Sequence, residues 1–280
     1  MATKEWKNKF SIQPFFMRTN YHTFNPLPTR RQLATHAFQE ELISSELGIR
    51  FRYAPGEKSL TTHRKERKLK TNQPVYELRA VLGLPGILKS QYRYQRISTN
   101  ITHVLRIPRW GKINYMLYAG KVFSTEALPF MLLEVHPGNE IYYYNKQSFN
   151  LMNRFEYISD QYTGINIEHN LEKKFINLLP FMRKTNMRQF WNFKSVLGIL
   201  TENNRKLNIQ DYYYEYRMRS LRGGFYTEIG TGLENIFKLL RIDLVWRYAP
   251  LRNIPPGFNP NLFKSNTNDF GVFGSVRFQF

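Results

Sequence analysis

The chain has 280 residues, 42% hydrophobic and 16% aromatic, with 41 Lys+Arg against 21 Asp+Glu and a formal net charge of +20. The hydrophobic share excludes a disordered chain, and the lack of cysteine excludes disulfides and cysteine-based zinc sites. The positive balance calls for an anionic partner: nucleic acid, lipid phosphates or anionic solutes.

The first residues, Met1 to Lys7, have no apolar stretch behind their charges, so no secretory signal is read there. A barrel exported across a membrane needs one, and the chain is expected to lack its natural beginning. Beyond this point the hydrophobic period is two almost throughout, which predicts strands. In chain order these are 8–18, 38–54, 73–83, 90–107, 111–123, 149–158, 162–172, 187–200, 222–231, 238–248 and 269–280. In the second, Leu47, Ile49, Phe51 and Tyr53 alternate with Gly48, Arg50 and Arg52; in the tenth, Ile242, Leu244, Trp246 and Tyr248 alternate with Arg241, Asp243, Val245 and Arg247. The last runs to Val276-Arg277-Phe278-Gln279-Phe280. Between the strands, 55–72, 201–221 and 249–268 read as long polar loops, all on the outer side if Phe280 ends in the periplasm. Residues 172–185 break the pattern: Leu171, Phe175, Leu178, Leu179 and Met182 follow helical spacing around Pro180, which predicts a short periplasmic helix or structured turn.

An alternating strand with one polar face fits a soluble sandwich as well as a membrane barrel. Long strands with Tyr, Trp and Phe gathered near their ends favour the barrel, where aromatic girdles mark the two interfaces. No apolar run reaches the ~18 residues of a membrane-spanning helix, whereas barrel strands need only ~9–11 of alternating character. The expected fold is therefore all-β: an antiparallel transmembrane β-barrel of about 11–12 strands, a single domain over 1–280 that forms the C-terminal portion of a larger barrel. The alternative is a secreted or soluble basic β-rich binding protein.

Two stretches carry a family resemblance. One is Leu128-Pro129-Phe130 through His136-Pro137-Gly138-Asn139-Glu140, then Phe149 to Asp160, then Glu168-His169-Asn170. The other is Glu228 to Asn235 running into Leu240-Arg241-Ile242-Asp243-Leu244. Together they resemble an uncharacterised outer-membrane barrel family of the Bacteroidota, whose full-length members carry a signal peptide, a carboxypeptidase-regulatory-like sandwich and then the barrel. The second stretch is also distantly similar to the surface-antigen barrels that assemble or transport other outer-membrane proteins. The resemblance implies residence in the Gram-negative outer membrane and a transport, assembly or structural role. It also implies outer-membrane lipid, lipopolysaccharide and the barrel-assembly machinery as partners. It supplies no catalytic residues.

The residues themselves show no nucleophile elbow, phosphate loop or dinucleotide fingerprint, so neither an enzyme nor a cofactor is expected. Glu134, His136 and Glu140 match no helical zinc motif, and no metal is expected there. The basic run Lys58 to Lys70 contains no aromatic, which argues against a base-stacking platform and nucleic acid as partner; as an outer loop it would face lipopolysaccharide phosphates. Arg50, Arg52, Arg79, Arg241, Asp243, Arg247 and Arg277 fall on the polar face and are expected to line the lumen, paired in part with Glu77 and Glu228. The turn-rich segment 125–150, with His136, Pro137, Gly138, Asn139 and Glu140, is the candidate functional loop, expected on the periplasmic side or folded into the lumen. Phe278 and Phe280 are the candidate membrane-assembly signal, a terminal aromatic strand of the kind that the resemblance associates with barrel insertion.

Overall fold

In the computed structural model the described residues are 3–22, 41–62, 65–68, 71–141, 143–174, 176–178, 180, 184–209, 218–251 and 269–276. The strands are β1 (Lys4–Glu5), β2 (Phe10–His22), β3 (Glu41–Tyr53), β4 (Ser59–Thr62), β5 (Lys65–Lys68), β6 (Val75–Gly83), β7 (Tyr94–Ile107) and β8 (Gly111–Phe123). After them come β9 (Glu134–Val135), β10 (Ile158–Ser159), β11 (Gln161–Glu172), β12 (Arg188–Ile199), β13 (Phe225–Ile236), β14 (Leu240–Ala249) and β15 (Phe270–Val276). Among the described residues one α-helix, α1 (Glu202–Asn208), follows β12.

Eleven strands form one antiparallel sheet in the order β1-β2-β3-β6-β7-β8-β11-β12-β13-β14-β15, with β4–β5 and β9–β10 as separate two-stranded pairs. Every neighbour in the large sheet is also a neighbour in the chain once the two small pairs are set aside, as in an up-and-down barrel. Register is uninterrupted over most of its length: Arg50 faces Arg79, Lys194 faces Glu228, and Arg241 faces Ser275.

Because Cβ atoms alternate across a strand, each strand presents two faces. On β14 the sequence Leu240 to Tyr248 alternates exposed and buried, with Arg241, Asp243, Val245 and Arg247 buried and Leu240, Ile242, Trp246 and Tyr248 exposed. The exposed set continues around the sheet through Phe16, Leu47, Leu82, Ile97, Leu117, Trp191, Phe225 and Val272. The inner face is closed over a core supplied largely by one connection, residues 124–160 between β8 and β11. Its Leu128, Phe130, Leu132, Leu133 and Ile158 pack with Leu42, Tyr94, Val122, Leu200 and Met218. Deeper in, Phe149, Met152 and Tyr157 pack on Val196 and Tyr226, and Tyr144 and Leu151 on Val245 and Phe273.

Two expectations need correcting. Residues 149–158 are not a barrel strand: Phe149, Leu151, Met152 and Tyr157 are all buried inside the sheet, and only Ile158–Ser159 is extended, paired with Glu134–Val135. Removing one strand reverses the parity of everything before it. The described residues of 55–72 therefore lie at the same end as the C-terminal end of β15, opposite α1 and the start of β15, and they contain the β4–β5 hairpin. Residues 125–150 enter from the end that carries α1 and fold inside the sheet, the second of the two expected placements. The expected short helix or structured turn in 172–185 is a 3-10 turn, Ile176–Leu178, among the described residues, and an α-helix, α1, lies inside the expected loop 201–221. Arg277, Phe278 and Phe280 lie outside the described residues.

The two ends differ. One, here the turn end, has tight connections: Trp110 N donates to Ile107 O at 3.0 Å in the β7–β8 turn, and Leu239 N to Ile236 O at 3.1 Å in the β13–β14 turn. Arg109, Phe237 and Lys238 take positive φ there, with Gly111 at φ 83°. The other, the loop end, carries 124–160 and α1.

Candidate functional site

The inserted segment 124–160 is a plug, and the sheet wraps around it. Strands as distant as β7 and β15 touch it: Arg96 donates to Leu132 O at 2.5 Å, and Tyr144 N donates to Gly274 O at 3.1 Å.

At the plug mouth, Asp160 is buried and its Oδ2 accepts from Thr201 N at 2.8 Å, Thr201 Oγ1 at 2.6 Å and Asn204 Nδ2 at 2.9 Å. Asn204 in turn accepts from Leu128 N, and Asn208 donates to Leu128 O, each at 2.8 Å. The start of α1 is thus fastened to both ends of the plug, because its two buried asparagines face Leu128 from successive turns.

The candidate loop lies just inside. His136 is 1% exposed, with Nε2 2.9 Å from Ser159 Oγ as a hydrogen-bonded pair. Burial pushes its imidazole down to about 4, so it is neutral at pH 7. Glu134 is half-buried, and its carboxyl is raised by desolvation. The pair sits against Gly198 of β12, where a Cβ would meet Ser159 Oγ at 2.2 Å. Pro137 is exposed and accepts from Phe149 N at 2.9 Å. Gly138 is pressed on Asn153, whose carbonyl would lie 2.2 Å from an added Cβ. Asn139 is buried and its Nδ2 donates to Tyr143 O and Asn150 Oδ1, both at 2.9 Å. Glu140 Oε1 accepts from Arg154 N at 3.2 Å. All five residues are packing and hydrogen-bonding parts of the plug, and among the described residues no cluster of His, Asp and Glu is arranged to hold a metal.

At the plug tip two strands grip the backbone directly. Glu228 on β13 accepts from Asn150 N at 2.8 Å, Leu151 N at 2.7 Å and Tyr226 Oη at 2.8 Å. Lys194 on β12 donates to Asn145 O at 2.9 Å and Ser148 O at 2.5 Å. The two side chains face each other in register. One satisfies the turn's amides and the other its carbonyls, as buried backbone groups require.

The inner arginines divide into two groups. Arg241, fully buried, makes paired bonds to Asp243 at 2.8 and 2.7 Å, lies 3.0 Å from Glu168, and has its guanidinium 3.6 Å from the centre of the Phe190 ring. Arg247 reaches Glu156 Oε1 and Tyr157 Oη, each at 3.0 Å, tying β14 to the plug base. Arg52 makes paired bonds to Glu57 at 2.8 and 2.6 Å, while Arg50 is exposed and Arg79 lies 4.0 Å from Glu46. A cavity of about 680 Å³ lies between these groups, lined by Arg52, Glu77, Asn114, Asn166, Lys146 and Lys194 among others, with the plug's Tyr144 and Gln147 on its wall. The polar face made the arginines legible from sequence. Lys194, Glu156, Asp160 and Glu168 were missed, although for Lys194 the alternation with Phe190, Asn192 and Val196 carried the signal.

A wrapped antiparallel sheet, apolar outside and filled by an inserted loop, defines a plugged β-barrel. The fold is similar to a solved structure of BamA from Haemophilus ducreyi lacking POTRA domains 1–3, with 12% sequence identity and a TM-score of 0.50. The match covers 96% of this chain and 51% of that one, so the chain spans about half its length. Residues 4–216 match the family described as "Family of unknown function (DUF5686) C-terminal domain", and the chain belongs to that family. The curated proteins give no sequence match.

Proposed function

We propose that the chain is a non-catalytic outer-membrane barrel of a Gram-negative cell, with a transport, assembly or structural role gated by its plug. The observation that carries this reading is the outward apolar face from Phe16 to Val272, set against an inner face of buried Glu228, Arg241, Asp243 and Arg247. A soluble protein rarely leaves so continuous an apolar surface in water, whereas lipid accepts it. In that setting the partners are outer-membrane lipid and lipopolysaccharide, with the barrel-assembly machinery during insertion, and the sequence Phe278-Gln279-Phe280 is the signal that the machinery reads. The likeness to a BamA structure and the family membership support the barrel; the cargo is a matter for experiment.

The test has two parts. Protein extracted from the outer-membrane fraction should run as a heat-modifiable band, and its absence from that fraction would end the membrane reading. In planar bilayers, replacing residues 139–150 by a short Gly-Ser link should raise conductance well above wild type. Equal currents would show that the plug does not close a passage.

A further inference from the structure

The turn end carries a concentration of cations that the barrel interior does not use. The β7–β8 turn holds Arg106, Arg109 and Lys112, and the facing β11–β12 connection holds Lys173 and Lys174; they line a cleft of about 570 Å³ in which Glu172 is the acidic side chain. Beside it, Lys173, Arg188 and Lys238 line a second cleft of about 360 Å³ with Asn186 and Asn235. None of these cations is ion-paired among the described residues. By contrast, the inner Arg52, Arg241 and Arg247 are each held by carboxylates.

Large apolar side chains stand exposed at the same level. Trp110 sits at the tip of the β7–β8 turn with Lys174 Nζ 3.0 Å from its ring centre. Phe237 is 82% exposed in the β13–β14 turn and Leu178 70% exposed beside the first cleft. Just beyond them begin the outward Leu105, Leu240 and Ile242 of the apolar face. Cations without a carboxylate partner, Lys173 held only by Asn186 and Lys174 by the Trp110 ring, interleaved with an exposed tryptophan and phenylalanine at the margin of an apolar belt, match the headgroup layer of a bilayer. There, rings lie among glycerol esters and cations meet phosphates. A soluble polyanion would not explain the apolar fringe.

We propose that this rim binds phosphodiester headgroups of anionic phospholipids in the leaflet at the turn end, with Arg109, Lys173 and Lys174 as the principal contacts. The proposal rests on the membrane reading above. The shared chemistry is a phosphate oxygen, which a free phosphate also offers, and the committed source is the lipid.

Native mass spectrometry of membrane-extracted protein, offered an equal mixture of phosphatidylcholine and phosphatidylglycerol, reads the site directly. The wild type should retain phosphatidylglycerol in preference. Each near-surface cation contributes roughly a fivefold factor, so Arg109→Gln/Lys173→Gln/Lys174→Gln should weaken retention on the order of 100-fold. Lys89→Gln/Lys206→Gln, at the loop end, should leave it unchanged. Equal retention of both lipids by the wild type, or displacement of phosphatidylglycerol by equimolar inorganic phosphate, would overturn the proposal. If the triple variant does not fold, the exposed single changes Arg109→Gln and Lys174→Gln carry the same expectation at roughly fivefold each. Insertion into pure phosphatidylcholine vesicles is measured separately, and failure there counts against the membrane reading instead.

Discussion

Lys194 and Glu228 face each other across β12 and β13, yet each spends its hydrogen bonds on the plug backbone. Removing one leaves the other buried without its counter-charge, together with orphaned backbone groups. Glu228→Ala is therefore expected to destabilise by roughly 3–5 kcal/mol, and Glu228→Gln by less, because one oxygen still accepts. The measurement is urea unfolding alongside the rate of proteolysis within 139–150; a Glu228→Ala protein as stable and resistant as wild type would show that the grip is incidental. His136 sets a pH dependence at the same scale. Its folded value, about 4, lies below its ordinary 6.5, so between these values the unfolded state binds more protons. Stability from neutral His136 is complete above about pH 6.5, falls as pH drops, and is lost by about pH 4. Plug protection measured by hydrogen exchange should decline over that window in wild type, with a smaller decline in His136→Gln. Identical profiles would remove His136 as the cause.

Among the elements, β14 gives the clearest reading of inside and outside. Leu244 lies on the outward face between Ile242 and Trp246, and Asp243 is fully buried opposite Phe273. In a bilayer, Leu244→Arg near the midplane is expected to cost ~2–4 kcal/mol, read from the shift in refolding equilibrium in lipid vesicles. A neutral effect would mean that this face does not meet lipid. Strands of this kind were legible from the sequence because a period of two is a local property. The segment 149–158 was not. Its Phe149, Leu151, Phe155 and Tyr157 alternate like a lipid-facing strand, but here the apolar residues pack inward against Val196, Tyr226 and Val245. Hydrophobicity records that a side chain avoids water, not whether lipid or protein replaces it.

For the molecule as a whole, the structure is polarised. An apolar core with α1 fastened over it fills the loop end, the gripped plug tip occupies the middle, and a cavity and a basic rim lie toward the turn end. The loop end is therefore the sealed end, and any passage must form by moving the plug rather than by widening the sheet, whose neighbours stay paired along the chain order. The plug supplies partners for Lys194, Glu228 and Arg247 of the wall, so plug and wall are parts of one cooperative unit. Glu228 reaches Asn150 across 78 residues of chain, and Arg247 reaches Glu156 across 91.

By itself the sequence determined the class of fold and the alternation of most strands, because side-chain alternation is dictated by backbone geometry within each strand. It also marked 125–150 as unusual through Pro129, Pro137 and Gly138. Only the tertiary structure decided which end each loop occupies, because that depends on the count of all strands, and one misplaced strand at 149–158 moved the basic 55–72 segment to the opposite end. It alone decided, too, that Lys194, Glu228 and Asp160 hold the plug. Their partners are backbone amides and carbonyls, which every sequence possesses and none advertises, brought into reach only when the sheet wraps around them.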